Sequence, residues 1–136
     1  MAPKHRSGAL VLAVGIALSA CGCGGGGKLS AKALSTESKT MQSLAAEGAL
    51  LARDSAAGKT TAIYTRVHSE DLSKAASSSA SSLQTAKTQP SLEPKLRRIA
   101  SLASKVSADL KRLGHASKAE QTSLAGELET AAKGLK

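Results

Sequence analysis

Leu92, Leu96, Ile99, Ala103, Val106, Leu110 and Leu113 recur at alternating steps of four and three residues, and that spacing draws one continuous stripe along an α-helix. Pro94 is tolerated in the first turn of such a helix, where its missing N–H would have no partner anyway, and Gly114 marks the end. Lys111 and Arg112 suit the negative C-terminal end of its dipole. The stripe must be covered by something apolar, and the composition limits what that is. Tyr64 is the sole aromatic residue and Phe and Trp are absent, so the core has to be Leu, Ala, Val and Ile. Ala, Leu and Lys lose little side-chain freedom in a helix, so the expected fold class is all-α.

Three further stretches share this character. The first runs from about Leu29 to Ala57 and aligns Leu34, Met41, Leu44 and Leu51, with Gly48 allowing a neighbour to approach closely. A stop at Gly58 is expected, since glycine can take the left-handed conformation of a helix end and Thr60 or Thr61 can cap the next helix; a helix continuous through Gly58 is the alternative. The second, from about Thr61 to Lys87, places Tyr64, His68, Leu72, Ala75, Ser79, Leu83 and Ala86 on one stripe. Its Ser-rich middle, residues 76–82, competes poorly for helix by itself, so tertiary contact or fraying decides its order. Gln89-Pro90 breaks this stretch. The fourth opens with Ser117-Lys118-Ala119-Glu120, a capping box, and marks its buried face with Leu124, Leu128, Ala131 and Leu135. Short links between helices imply antiparallel neighbours, so residues 29–136 are expected to form an up-and-down antiparallel bundle of about four helices. Self-association is the other way to cover so narrow a stripe, which leaves a homo-oligomer open.

No catalytic constellation emerges from the residues. Ala57-Gly58-Lys59-Thr60 invites comparison with a phosphate-binding P-loop, but Arg53 stands where that motif needs its first glycine and the preceding stretch reads as helix. The glycines at positions 22 and 24–27 have no strand before them either. No Gly-X-Ser-X-Gly elbow occurs, so serine hydrolysis has no support. His68 with Glu70 and Asp71 is the one place where a metal or acid–base proposal could begin. One helix cannot gather all three around an ion, and Glu47 or Asp54 would have to contribute. A Tyr64–His68 pair on the bundle face is the favoured reading, with no metal, no cofactor and no enzymatic activity expected.

The first twenty residues have a different design. Lys4, His5 and Arg6 form a basic start, and Gly8 to Leu18 is an uncharged apolar run, the pattern of a secretory signal. The run is too short for comfortable membrane spanning, which takes about 20 apolar residues. Leu18-Ser19-Ala20-Cys21 then resembles the lipobox of bacterial lipoprotein signal peptides: an aliphatic residue, two small ones, and cysteine. The resemblance covers residues 1–21 and implies a diacylglyceryl group on the Cys21 sulfur, cleavage between Ala20 and Cys21, and a lipidated N-terminus. Beyond that segment the likeness to small helical envelope lipoproteins is one of general type. An ordinary signal ending in Ala-X-Ala is the alternative. Two or three acyl chains would hold the protein durably, since each buried CH₂ contributes about 0.8 kcal/mol.

The chain would thus divide into a signal peptide, 1–20, a lipidated Gly-rich tether, 21–28, and the bundle, 29–136. Cys23 would have no intramolecular disulfide partner once Cys21 is lipidated. Its upstream residues lack the aliphatic residue of a lipobox. The formal net charge of +9 becomes +7 once Lys4 and Arg6 are removed. Outside a cell membrane the abundant polyanions are lipid head groups and wall polymers, so no nucleic-acid partner is expected; the cations otherwise serve as solvated helix faces. The functional expectation is a non-enzymatic envelope lipoprotein, lipid-anchored on the extracytoplasmic side of the cell membrane, that binds or scaffolds another envelope protein or an anionic wall polymer. A small-ligand or lipid carrier with a cavity between its helices is the second expectation.

Overall fold

The computed structural model describes residues 28–136, an all-α bundle of four helices. Helix α1 spans Ala31–Ala56 and α2 spans Ala62–Thr85; a 3₁₀ turn at Pro90–Leu92 leads into α3, Glu93–Leu113, and α4 spans Lys118–Gly134. Each boundary has a local cause. The Ser30 hydroxyl accepts from Ala33 N–H and starts α1, and the Thr61 hydroxyl accepts from Tyr64 N–H and starts α2. The α1 helix stops because Gly58 takes φ of +72°, which lets Lys59 N–H reach Asp54 O at 2.8 Å and Gly58 N–H reach Ser55 O at 3.0 Å. These two bonds close a Schellman motif. Ser117 and Glu120 complete the expected capping box of α4.

Gly114 ends α3 for a different reason. Its φ is −62°, so no left-handed turn is needed there. A Cβ at that position would lie 2.8 Å from Ser69 Oγ, so the glycine lets the end of α3 sit against α2.

Consecutive helices run antiparallel, and Ser38 Oγ donating to Leu135 O at 2.6 Å ties the start of α1 to the end of α4. Packing is unequal around the ring: α1 lies most extensively against α4 and α2 against α3, while α1–α2 and α3–α4 meet over less surface. Leu34, Met41, Leu110, Leu113, Leu124 and Leu128 are fully buried at the centre. Each leucine so buried contributes roughly 1.5 to 3 kcal/mol. Gly48 sits where α1, α3 and α4 converge, with the Leu110 and Leu128 side chains occupying the space a Cβ would need.

The α2 face differs from the expected stripe. Of that set only Leu72 and Leu83 are buried; Tyr64 and Ala75 are exposed, and His68, Ser79 and Ala86 are half-buried. The residues turned inward are instead Thr65, Ser69, Leu72, Ser73, Ala76, Ala80 and Leu83. The helix is rotated by roughly one residue position, ~100°. Small side chains explain this orientation. Ala76 and Ala80 let α3 approach, and Ser73 and Ser107 each donate to the other's backbone carbonyl, at 3.1 and 3.4 Å. Buried hydroxyls satisfied in this way cost little, whereas Tyr64 would not fit so close a contact. The Ser-rich segment is thereby helical throughout, held by α3.

Candidate functional site

Ala20, Cys21 and Cys23 lie outside the described residues. The chain enters the described structure at Lys28, and Leu29 is strapped to the α2–α3 link: its N–H donates to Lys87 O at 2.6 Å and its carbonyl accepts from Thr88 Oγ1 at 2.8 Å. This strap fixes which end of the bundle Lys28 and Leu29 occupy, here called the tether end after the Gly-rich stretch before it in the sequence. The tether end holds the start of α1, the end of α2, the start of α3 and the end of α4; the turn end holds the α1–α2 and α3–α4 connections.

Charge is divided unequally between these ends. On the turn side of the Ser73–Ser107 contact, six cations stand with six carboxylates. On the tether side, eleven cations stand with four carboxylates, so the whole surplus of +7 lies there. Each of those four carboxylates is already engaged. Glu37 accepts from Ser79, Glu93 pairs with Arg97, Glu127 with Lys105, and Glu129 with both Arg53 and Lys133. Lys28, Lys32 and Lys39 beside and on α1, Lys95 and Arg98 on α3, and the flanking Lys87 and Lys136 have no carboxylate within salt-bridge range among the described residues. All seven are exposed.

The turn end shows the opposite character. Leu50, Ile63, Tyr64 and Val67 are all more than half exposed, at 58%, 69%, 53% and 51%. They come from the last two turns of α1 and the first two of α2, so four solvent-facing apolar side chains lie at this corner. Beside it the Tyr64 and His68 rings stack with centroids 5.5 Å apart, and His68 Nε2 lies 2.9 Å from Glu47 Oε1. Of the other carboxylates considered beside His68, Asp71 lies 3.9 Å from Lys74 and Asp54 lies 3.4 Å from Lys59, while Glu70 stays exposed. Among the described residues no three His, Cys, Asp or Glu side chains gather as a metal site. A stacked aromatic pair with one carboxylate orients a ring, and among the described residues it has no third side chain of the kind a metal ion would need.

Electrostatic tuning concentrates on α4. Hydrogen bonds from the Ser117 hydroxyl and backbone hold the Glu120 carboxyl below its ordinary range. Lys105 does the same for Glu127, and Arg53 for Glu129. Lys105 is correspondingly raised, first by its bond to Asp109 and then by Glu127. Asp109 itself is buried, with Lys105 Nζ at 2.8 Å and Arg112 at 3.5 Å.

A groove of about 760 Å³ opens between α3 and α4, one of the two neighbouring pairs that meet over less surface. Leu102 and Ala131 give it an apolar lining, Gly126 leaves it unfilled, and Arg98 and Lys105 flank it. The sequence suggested a cavity between helices without placing it on a particular pair, and it did not reveal the polar division of charge, because both depend on which helices face each other. Among the described residues no helix is long and apolar enough to cross a membrane. No protein-family model matches the chain, and comparison with curated proteins and with solved structures finds no match.

Proposed function

We propose that this chain is a bacterial envelope lipoprotein, cleaved between Ala20 and Cys21, lipidated on Cys21, and held on the extracytoplasmic side of the cell membrane. The observation that carries the reading is Leu18-Ser19-Ala20-Cys21 behind a basic start and an apolar run, followed by a Gly-rich tether. The bundle has no enzymatic task in this reading. It binds or scaffolds another envelope component, and the apolar patch of Leu50, Ile63, Tyr64 and Val67 offers a docking surface for a protein partner, since exposed apolar groups grouped on one corner favour association. Intact mass spectrometry of the membrane-extracted protein, beside a Cys21→Ala variant, tests the anchor. A cleaved, diacylated N-terminus that appears only when Cys21 is present is the expected result; a soluble product without lipid would overturn it.

A second reading, a carrier of a small apolar ligand, is favoured by the α3–α4 groove, whose volume lies within the ~300–1,000 Å³ common for ligand pockets. Native mass spectrometry of the purified protein would show a co-purifying ligand; repeated preparations without one would remove this reading.

A further inference from the structure

We infer that the tether end of the bundle is a docking surface for anionic lipid head groups, so that the bundle stands on its basic pole and holds the apolar patch outward. The inference deepens the anchored reading and rests on it for the distance between pole and bilayer; the division of charge is independent of it.

Two observations point to the same surface. The first is the imbalance itself. Seven exposed cations at one end lack a carboxylate partner, against Arg66, Lys111 and Lys118 at the other, where cations and carboxylates are equal in number, so the molecule carries a charge dipole along its length. Cations serving only solubility would be spread over both ends, since the helices have polar faces along their whole length. Here Lys32 and Lys39 come from α1, Lys95 and Arg98 from α3, and Lys136 from just beyond the end of α4, and they fall at one end only because of the bundle topology.

The second is the position of the strap. Leu29, bonded to Lys87 and Thr88, brings the leading segment out of the basic pole rather than the neutral one. Eight residues, 21–28, reach at most roughly 28 Å when fully extended. A bilayer holding the Cys21 lipid would therefore lie near this pole, within reach of contact. Attraction between Lys or Arg and an anionic surface fades over about 8 Å in physiological salt, so the short tether is what makes the charge effective. Basic residues beside the acyl chains on Cys21 would add an orienting attraction to an attachment that the chains themselves make durable. The turn end stands about 35 Å away along α1, beyond that range.

The test uses the protein as extracted from membranes, placed on vesicles of phosphatidylcholine alone or with about 30% phosphatidylglycerol, an anionic fraction that gives a negative surface potential. A membrane-impermeant amine reagent then reads each lysine by mass. Lys32, Lys39, Lys95 and Lys136 should react about fivefold more slowly on the anionic vesicles, the change expected when each cation gains its share of surface attraction, while Lys111 and Lys118 react equally on both. The protection should vanish in about 0.5 M salt. Replacing Lys95→Gln and Arg98→Gln together should release Lys32 and Lys39; replacing Lys111→Gln and Lys118→Gln should not. Equal labelling on both vesicles, protection that extends to Lys111 and Lys118, or protection that persists in salt would each overturn the inference. So would protection by soluble poly(glycerol phosphate) with none by anionic vesicles, which would assign the pole to a wall polymer. The intact mass, taken first, reports the anchor separately. If it shows no lipid, the same vesicles mixed with the soluble protein still read the pole.

Discussion

At the tether end of the bundle seven cations stand without a carboxylate partner among the described residues, and the large apolar side chains there are turned inward. At the turn end charge is balanced, and Leu50, Ile63, Tyr64 and Val67 face solvent. The same four helices supply both ends, so the difference arises from which ends of the antiparallel helices fall together. One end is suited to a polyanionic surface, the other to an apolar one. Between them the bundle buries a core of leucine and alanine.

That comparison depends on the core staying intact, and Gly48 is where it is most easily broken. Gly48→Leu would drive a side chain into Leu110 and Leu128 and should cost about 3 kcal/mol, the upper end of ordinary overpacking, read as a drop in the urea midpoint. Both ends would lose order together, because α1, α3 and α4 meet there.

A smaller effect should separate the ends. Asp109→Ala removes a buried carboxylate from Lys105 and Arg112 on the turn side, and should cost about 2 kcal/mol in denaturant unfolding. It falls short of a fully buried ion pair because both cations are about half exposed and can return to water. A loss equal to that of Gly48→Leu would mean that the turn end depends on this carboxylate more than its geometry implies. Ser117→Ala should cost about 1 kcal/mol by removing the capping box of α4, again measured at the unfolding midpoint.

Acid should act in the same direction, with a still smaller effect. Glu120, Glu127 and Glu129 have folded values below their unfolded ones, so the stability they supply is complete above the ordinary carboxylate range and is lost as pH falls through their lowered values. Melting should be level from neutrality to about pH 5 and decline below it, with α4 amides the first to lose exchange protection. Lys105 has the opposite sign: its contribution holds through neutral pH and is lost only above the ordinary lysine range. These groups are exposed, so water screens them and the shift is modest. Least of all, Ile63→Ser with Val67→Ser should change stability by under about 0.5 kcal/mol while reducing recovery of a protein partner in pull-down from solubilised membranes.

Much of the helix layout was legible because its signals are local. The stripe from Leu96 to Leu113 is buried as spaced, Gly58 ends α1, and Ser117 with Glu120 opens α4. The second stripe was not legible. Its Leu, Tyr, Ala and Ser positions have too little contrast in size and polarity to orient a helix, so the partner's shape decided. Thr65, Ser69 and Ser73 turned inward because α1, α3 and their own helix supply acceptors for the hydroxyls. Tyr64 and His68 could be paired from their spacing of four, and Glu47 or Asp54 could be named as the carboxylate to join them, but which one reaches His68 was decided by how α1 lies against α2.

By itself, then, the sequence determined the helices, their caps and the apolar faces of α1, α3 and α4, because hydrogen bonding along a helix and a repeat of about 3.6 residues act over a few neighbours. The tertiary structure alone decided the rotation of α2, the thin packing that opens the α3–α4 groove, and the gathering of distant cations at one end, because burial and charge add up between side chains that the chain order keeps far apart.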